Sequence, residues 1–412
     1  MKHFDVMVLG AGMVGIASAL HLQSSGRSVV LVDRRGSAEE TSHGNAGLIQ
    51  CEGVVPYSFP REIDKIVNYA FNRLPEANLH WRAIPWLLPF VYRYWRQGSP
   101  ERVAASARAL KPLVERSLAE HEALIQAAGI GDMVRRTGYL RVFRTEEGLA
   151  RQLAKEEEAH RLYGVRYEAK TPAELSALEP HLQGTFAGAV FMPDPASVDS
   201  PGAVGKAYAK LFAERGGQFI YGDARGLQHS GDQWTLASAG LSAREAVIAL
   251  GPWTAQLLAQ FGVHIPMGFK RGYHMRYAAP DGPKLKRPIL DSDFGYLLTP
   301  EADTYRLTTG AEFARLGAPP TPVQLARVEP AARGILALGE RLLEQPWLGA
   351  RPCFPDMVPV IGPVPGHKGL WVNAGHHHLG FTLGPVSGRL LASLMTGEAP
   401  LTDPAQYNLS RF

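Results

Sequence analysis

The fold of this chain is decided by residues 4–33, whose sequence is FDVMVLGAGMVGIASALHLQSSGRSVVLVD. The short apolar run at 4–9 is typical of a buried strand, and the apolar run at 16–22 is typical of a helix. A second strand-like run at 28–32 follows and ends on Asp33. This order predicts a complete βαβ unit with two parallel strands.

The turn between the first strand and the helix carries Gly10, Gly12 and Gly15. Gly10 permits the tight turn, Gly12 lets the backbone approach a pyrophosphate closely, and Gly15 lets the helix pack on the sheet. The N-terminus of the helix offers free N–H groups and a positive dipole end to phosphates. Asp33 ends the second strand, where a carboxylate accepts hydrogen bonds from a ribose diol. The pattern therefore predicts a dinucleotide-binding site.

Length and composition limit the class of protein. The chain has 412 residues, 45% hydrophobic and 20% charged, which is typical of a globular protein with about two domains. The net charge of +4 without a basic block predicts no nucleic-acid partner and leaves open a weak attraction to an anionic membrane. The chain has two cysteines, which predicts a reduced compartment. The first predicted strand begins near residue 1, so no signal peptide is expected. We expect a cytoplasmic protein, with contact to the inner face of the membrane left open.

Two further segments have the composition of ligand-binding turns. Residues 41–47 combine hydroxyl, amide and glycine residues, including Ser42, Asn45 and Gly47, which suits a backbone wrapped around a ligand and also suits a plain surface loop. A predicted strand at 246–250 runs into Gly251 and Trp253. Ligands of doubly wound sheets bind at such strand ends.

Residues 59–95 are rich in aromatic side chains and contain several arginines and prolines. Trp81, Trp86 and Trp95 beside Arg82 and Arg93 fit a helix at the headgroup boundary of a membrane. The same pattern also fits a helix that packs on its own domain, and the sequence leaves both alternatives open.

Five motifs in order carry a family resemblance: Gly10 to Gly15 with Asp33, SHGNAG at 42–47, ALGPW at 249–253, GARP at 349–352 with Asp356, and GHHHLGFT at 375–382. Together they resemble the FAD-dependent D-amino-acid dehydrogenase and oxidase superfamily, which includes glycine and sarcosine oxidases. The resemblance covers nearly the whole chain and implies FAD as the cofactor. No metal is expected, because the adjacent side chains of residues 376–378 diverge and no Cys or acidic ligand accompanies them.

The resemblance also implies roles for individual residues. Those expected to bind FAD are Gly10, Gly12, Gly15, Asp33 and Arg34 at the ADP half, Ser42, Asn45, Ala46 and Gly47 along the pyrophosphate and ring, the main chain near Arg225 at the adenine, Gly251 and Trp253 at a strand end, and Gly375, His376, Gly380 and Thr382 at the isoalloxazine. His376 is also a candidate for positioning the substrate. Cys353 is not expected to form a covalent bond with the flavin, which is expected to bind non-covalently.

Arg351 matches the arginine that binds the substrate carboxylate in this family. A planar guanidinium can hold a carboxylate through two hydrogen bonds. The alternative is a structural ion pair with Asp356. Tyr273 and Tyr296 are expected where strands of the substrate domain face the flavin, although each also fits a core position.

The expected fold is α/β, α+β overall, with a Rossmann-like FAD-binding domain and an inserted, largely antiparallel-sheet substrate domain. We expect residues 1–55, 171–262 and 346–412 in the first and 56–170 and 263–345 in the second. The expected reaction is oxidation of the C–N bond of a D-amino acid, preferably a cyclic one such as D-proline or cis-4-hydroxy-D-proline, with a quinone or another electron acceptor. A glycine- or sarcosine-type oxidase that uses oxygen, and a non-catalytic dinucleotide-binding protein, are the alternatives.

Overall fold

The computed structural model describes residues 1–280, 282 and 284–412. The helices in this part of the chain are α1 (Met13–Ser24), α2 (Ile63–Ala70), α3 (Ile84–Gln97), α4 (Pro100–Ala128), α5 (Glu146–Tyr163), α6 (Pro172–Leu178), α7 (Pro201–Glu214), α8 (Thr254–Gln260), α9 (Val323–Ile335) and α10 (Gly380–Thr396). Short 3₁₀ turns precede α3, α8 and α10 at Trp81–Ala83, Gly251–Trp253 and His377–Leu379.

The strands are β1 (Lys2–Leu9), β2 (Val29–Asp33), β3 (Leu48–Ile49), β4 (Ala77–Leu79), β5 (Val134–Arg135), β6 (Tyr139–Phe143), β7 (Glu168–Lys170), β8 (Gly188–Met192), β9 (Ala196–Val198), β10 (Gln218–Tyr221), β11 (Leu227–Ser230), β12 (Gln233–Leu236), β13 (Leu241–Ile248), β14 (Gly268–Ala278), β15 (Ile289–Asp291), β16 (Tyr296–Pro300), β17 (Thr304–Thr308), β18 (Ala311–Phe313), β19 (Trp347–Cys353), β20 (Val360–Pro363) and β21 (Leu370–Ala374).

A parallel sheet forms the first layer. Strands β10, β2, β1, β13 and β21 run parallel in this order, while β12, β11 and β20 add antiparallel pairs. The apolar runs of β1 and β2 are buried because the sheet is covered on both faces. Helix α1 packs closely against α10, and a Cβ on Gly388 would lie 2.8 Å from the backbone of Ala17. The predicted βαβ unit is confirmed.

A second, larger sheet is mostly antiparallel. Its strand order is β4-β18-β14-β17-β16-β15-β6-β8-β7, and β19 pairs with β14 over seven residue pairs, from Gly268 with Cys353 to His274 with Trp347. A small three-stranded sheet, β3-β9-β5, lies outside both larger sheets. The mixed α/β class with a largely antiparallel second sheet is confirmed, whereas the predicted domain boundaries stay a prediction. Strand β19 joins the antiparallel sheet although the sequence analysis assigned it to the FAD-binding segments.

The local pattern of residues 324–343 predicts one helix, but α9 ends at Ile335. Beyond it the chain pairs with the end of β14: Gly339 N–H donates to Ala278 O at 2.9 Å, and Arg341 forms a β-bridge with Tyr277. A Cβ on Gly339 would lie 2.7 Å from Ala278 O, so this approach depends on a glycine. Tertiary pairing thus overrides the local helical pattern.

Candidate active site

The carboxyl ends of three parallel strands meet at one large cavity. Gly10 follows β1, Ala249 follows β13 and Gly375 follows β21, and all three line the cavity, whose volume is about 690 Å³. The opposite wall comes from the antiparallel sheet, including residues of β14 and β19. The cavity therefore lies between the two sheets, where a bound molecule would touch both.

The three glycines of the first turn have different structural roles. Gly10 has a φ of +105°, and a Cβ there would lie 2.4 Å from Ala249 O. A Cβ on Gly15 would lie 1.8 Å from Gly10 O, so Gly15 allows α1 to approach the turn and does not line the cavity. Gly12 precedes α1 and does line it. The N-terminus of α1 is thus open to the cavity at Gly12.

Asp33 and Arg34 line the far end of the cavity. The Asp33 carboxylate accepts hydrogen bonds from Ala11 N–H at 2.8 Å and from Arg35 N–H at 3.0 Å, so it holds the glycine turn in place. The Arg34 guanidinium lies 4.9 Å from the centre of the Trp253 ring.

Three further predicted residues, Arg225, Gly251 and Trp253, line the same end of the cavity. The Arg225 side chain is turned to Asp223, whose carboxylate accepts from its Nε at 2.9 Å. The charged group of Arg225 is therefore already paired, which leaves its main chain as the part available to a ligand.

The polar segment 41–47 runs along the middle of the cavity. Ser42, Asn45 and Ala46 line it, and Ser42 Oγ accepts from Met13 N–H in the first turn of α1 at 2.9 Å. Gly47 does not line the cavity; its φ is +81°, and a Cβ there would lie 2.9 Å from Val198 O. The prediction that Gly47 contacts a ligand does not fit this geometry. The positive φ of Gly47 and its lack of a side chain instead allow the chain to pass close to β9.

The segment before α10 forms another wall. Gly375, His376 and Gly380 line the cavity. His376 Nε2 lies 3.1 Å from Ser387 Oγ, and burial lowers the pKa of the His376 imidazole to about 3. This ring is therefore neutral and already engaged with α10.

Thr382 is not among the lining residues. Its hydroxyl donates to Leu48 O at 3.1 Å and accepts from Gln50 N–H at 3.1 Å. In this structure the Thr382 hydroxyl links α10 to β3, and its contact with a ring ligand stays a prediction. The β3 end of that link adjoins the cavity, since Leu48 and Gln50 line it.

Arg351 lines the cavity from β19 and is held by two main-chain carbonyls. Its Nη1 donates to Gly310 O at 2.9 Å and its Nη2 donates to Thr309 O at 3.2 Å. No Asp or Glu in the described ranges forms an ion pair with Arg351; Asp356, the alternative partner, is paired with Arg411 Nε at 2.8 Å. Burial lowers the pKa of the Arg351 guanidinium, although arginine keeps its charge in proteins. A partly buried cation on a cavity wall without an anionic partner fits an anionic ligand.

The two predicted tyrosines occupy different places. Tyr273 lines the cavity, but its hydroxyl lies 3.1 Å from Glu312 Oε2 and accepts from Thr321 N–H at 2.7 Å. Tyr296 does not line the cavity and belongs to the apolar core of the antiparallel sheet. The prediction that Tyr296 faces a ligand does not fit this geometry, because side chains alternate along β16 and Leu297 takes the cavity side.

The sequence analysis assigned no site to β6, yet Tyr139 and Arg141 of this strand line the cavity. Arg141 Nη2 donates to Tyr139 Oη at 2.8 Å, and Tyr139 Oη donates to Glu52 Oε1 at 3.0 Å. Burial raises the pKa of the Glu52 carboxyl. An arginine two residues after a tyrosine in a strand between apolar positions was the available signal, because residues i and i+2 share a face.

Tyr57 and Lys270 were also missed. The Tyr57 ring lies 5.0 Å from the His378 ring. Tyr57 lines the same cavity as Arg351 and Arg141. Lys270 Nζ donates to Tyr94 Oη at 2.7 Å on the same side. Neither residue belongs to a recognisable motif, so only the folded chain reveals them.

The described residues of this site provide neither a reactive thiolate nor a cluster of metal ligands. Cys353 is buried on the cavity wall, and burial raises the pKa of its thiol, which keeps it in the less reactive protonated form. No group of three His, Cys, Asp or Glu side chains in the described part of the chain is arranged to hold a metal.

Comparisons with known proteins agree with this architecture. The family model described as "FAD dependent oxidoreductase" matches residues 5–394, so the chain belongs to this family of FAD-dependent oxidoreductases. A D-amino acid dehydrogenase of Xylella fastidiosa (strain M12) is 31% identical over 404 residues, which cover 95% of this chain and 91% of that protein. A D-amino-acid oxidase of Bradyrhizobium diazoefficiens is 27% identical, with 99% and 98% covered. The crystal structure of glycine oxidase from Geobacillus kaustophilus superposes with a TM-score of 0.76 at 22% identity and full coverage of both chains.

The cavity fits FAD by its own chemistry. The glycine turn, Asp33 and Arg351 line one cavity to which both sheets contribute. Three polar atoms in lining residues are buried with neither a hydrogen bond nor an ion pair among the residues the structure describes: Thr308 Oγ1, Asn373 Oδ1 and His377 Nε2. Buried polar groups are normally paired, so a polar ligand is the simplest explanation. The individual residue contacts to FAD stay a prediction.

Proposed function

We propose that this chain oxidises the C–N bond of a D-amino acid. The observation that carries the proposal is the partly buried Arg351 guanidinium, which faces the same cavity as the glycine turn and has no anionic partner among the described residues. A substrate carboxylate supplies that partner. The printed names of the two relatives, a D-amino acid dehydrogenase and a D-amino-acid oxidase, support the same reaction.

The residues of this chain bind and orient the substrate. When bound, FAD supplies the acceptor for the two electrons that leave the substrate Cα as a hydride. Arg351, held by the Thr309 and Gly310 carbonyls, grips the carboxylate in one orientation. The amine binds in its neutral form, and its lone pair forms the C=N bond of an iminium ion as the hydride leaves. The iminium loses its N–H proton to water to give the imine, which water hydrolyses unless the product is cyclic. A neutral His376 is consistent with a reaction that needs no side-chain base.

We propose a cyclic substrate, D-proline or cis-4-hydroxy-D-proline. In the sequence, the runs GHHHLG at 375–380 and RPCFPD at 351–356 support this choice. The cavity wall is compatible with it, because the polar side chains of Tyr57, Tyr139 and Arg141 line the same cavity as Arg351. As electron acceptor we propose a quinone, which would bring the protein to a membrane surface.

An anaerobic absorbance scan of the yellow holoprotein tests the proposal. The protein is mixed in turn with D-proline, cis-4-hydroxy-D-proline, D-alanine and sarcosine, and bleaching of the flavin band is followed. We expect the cyclic D-amino acids to bleach it fastest and L-proline to leave it unchanged. Faster bleaching by D-alanine or sarcosine would overturn the cyclic substrate, and failure of every amine to bleach bound FAD would overturn the reaction. Formation of peroxide in air at the rate of substrate loss would show that oxygen, and not a quinone, is the electron acceptor.

A further inference from the structure

Helices α2 and α3 form one exposed layer on the surface, which we call the aromatic layer (residues 61–97). The two helices lie side by side in opposite directions. Arg61, before α2, lies 5.2 Å from the centre of the Trp95 ring near the end of α3, whereas Trp81 Nε1, before α3, donates to Ala70 O at the end of α2 at 2.8 Å. Their outward faces therefore form one continuous surface.

Helix α3 has two apolar faces, and only one is covered. Leu87, Phe90 and Tyr94 are buried against the protein. The second face consists of exposed residues at helical spacing, beginning in the preceding 3₁₀ turn: Trp81, Ile84, Leu88, Tyr92 and Trp95. Leu88 and Tyr92 are 56% and 58% exposed. A helix with apolar residues on two faces needs a second apolar environment for the uncovered one.

Helix α2 extends the same surface. None of its residues is buried, and Ile63, Val67 and the adjoining Phe71 are exposed one helical turn apart. Of the seventeen exposed large hydrophobic residues in the described chain, eleven lie within residues 55–95. Scattered exposed apolar residues are normal, but a concentration of this size marks an interaction surface.

The aromatic layer is also positively charged. Between residues 61 and 96 there are six basic residues, Arg61, Lys65, Arg73, Arg82, Arg93 and Arg96, and three acidic ones, Glu62, Asp64 and Glu76. This excess of three is most of the net charge of +4 of the whole chain. The Arg96 guanidinium lies 6.0 Å from the Tyr92 ring centre, so cations and exposed rings alternate on the surface.

We propose that the aromatic layer docks on the surface of a lipid bilayer that contains anionic headgroups. Exposed Trp, Tyr and Leu side chains enter the boundary between headgroups and acyl chains, while the arginines beside them contact the anionic headgroups. None of the described helices is long and apolar enough to cross a bilayer, so the contact is peripheral. The positive charge favours this partner over a second copy of the chain, which would bring two equally charged layers together.

The buried face of α3 connects the aromatic layer to the cavity. Phe90 and Tyr94 form a small apolar cluster with Cys353 and Met357, both of which line the cavity, and Tyr57 lines it while its side chain is exposed. The cavity therefore reaches the surface beside the layer. On the proposed function, docking would bring the flavin close to a lipid-soluble acceptor.

Sedimentation of the holoprotein with vesicles tests the docking. We expect binding to phosphatidylcholine vesicles that contain phosphatidylglycerol, weaker binding to phosphatidylcholine alone, and loss of binding with added salt. The double variant L88Q/Y92S should bind at least ~10-fold more weakly, because each buried apolar side chain contributes more than ~1 kcal/mol. R93Q/R96Q should bind more weakly and show a smaller salt dependence. The matched control is L162Q, since Leu162 is 47% exposed outside the layer.

The outcomes separate docking from the reaction. Flavin content and substrate-dependent bleaching in detergent-free buffer should stay unchanged in L88Q/Y92S, which shows that the variant is folded. Absence of wild-type binding to anionic vesicles, or equal loss in L162Q, would overturn docking and leave the reaction untouched. A dimer in sedimentation velocity that dissociates in L88Q/Y92S and does not bind vesicles would assign the layer to a second copy instead.

Discussion

The Arg351 guanidinium lies directly against Gly272, where a Cβ would stand 2.3 Å from Arg351 Nη2. Both residues belong to the β14–β19 pair, in which Gly272 stands opposite Gly349. The absence of a side chain at residue 272 is therefore what lets the guanidinium lie on the strand and reach the cavity. The arginine and the glycine form one unit of the binding site.

Replacing Gly272 by alanine should displace the Arg351 guanidinium. We expect G272A to raise KM by ~10-fold or more, because hydrogen bonds to a charged group contribute ~1.5–3 kcal/mol each. The control is G334A, since a Cβ on Gly334 would meet no atom within 4 Å. Steady-state kinetics with FAD-saturated protein provide the measurement. An unchanged KM in G272A would show that the guanidinium tolerates the displacement or does not bind the carboxylate.

Changing Arg351 itself should separate charge from geometry. R351Q should raise KM by ~100-fold, whereas R351K should retain part of the affinity because lysine keeps the charge but loses the two-pronged hydrogen bonding. FAD content should not change in either variant. D356N is the informative control: Asp356 pairs with Arg411, so its loss should lower thermal stability and leave KM near the wild-type value. A KM effect in D356N equal to that in R351Q would contradict this assignment.

The glycine turn was predictable because its constraints are local. A glycine is required at residue 10 by its positive φ and its contact with Ala249 after β13, and at residue 15 by its contact with Gly10. The sequence spacing alone indicates both residues. The same holds for helix α5, because the charged run at 146–163 predicts a helix from its own residues and the structure has a helix with these ends.

The rest depended on pairings between distant segments. The face that Tyr296 presents follows from the register of β16, which local propensity does not determine. Asp356 forms its ion pair with Arg411, a residue distant from it in the sequence. Arg141 becomes part of the cavity wall only when β6 pairs with β15 and β8. A sequence motif is a better guide to the residues near a cofactor than to the side chains that face the substrate.

Acid should destabilise the protein through its buried histidines. His121 is fully buried, with Nε2 2.9 Å from Phe381 O and Nδ1 3.1 Å from Tyr208 Oη. Burial lowers the pKa of His121 from 6.5 to about 4. Because the unfolded chain then binds more protons between these pH values, the stabilisation is complete above pH 6.5 and is lost as the pH falls towards 4.

Thermal or urea unfolding of the holoprotein between pH 7 and pH 5 measures this effect. Each such histidine contributes a slope of up to ~1.4 kcal/mol per pH unit. H121Q keeps a donor for Phe381 O without a titrating ring, so its stability should be lower at pH 7 but should change less with pH. The exposed His264 provides the control, and H264Q should follow the wild-type slope. Equal slopes for wild type and H121Q would refute the assignment.

The pH dependence of catalysis should come from the substrate and not from a cavity histidine. Burial lowers the pKa of His376 and of His378 to about 3 each, so both rings are neutral above about pH 5. Only the neutral amine can form the imine, and the acid limb of kcat/KM should therefore move with the amine pKa of the substrate. Comparing D-proline with D-alanine measures this shift, and H378Q should leave the limb in place. A limb near pH 6.5 that is common to both substrates and disappears in H378Q would instead assign the proton to His378.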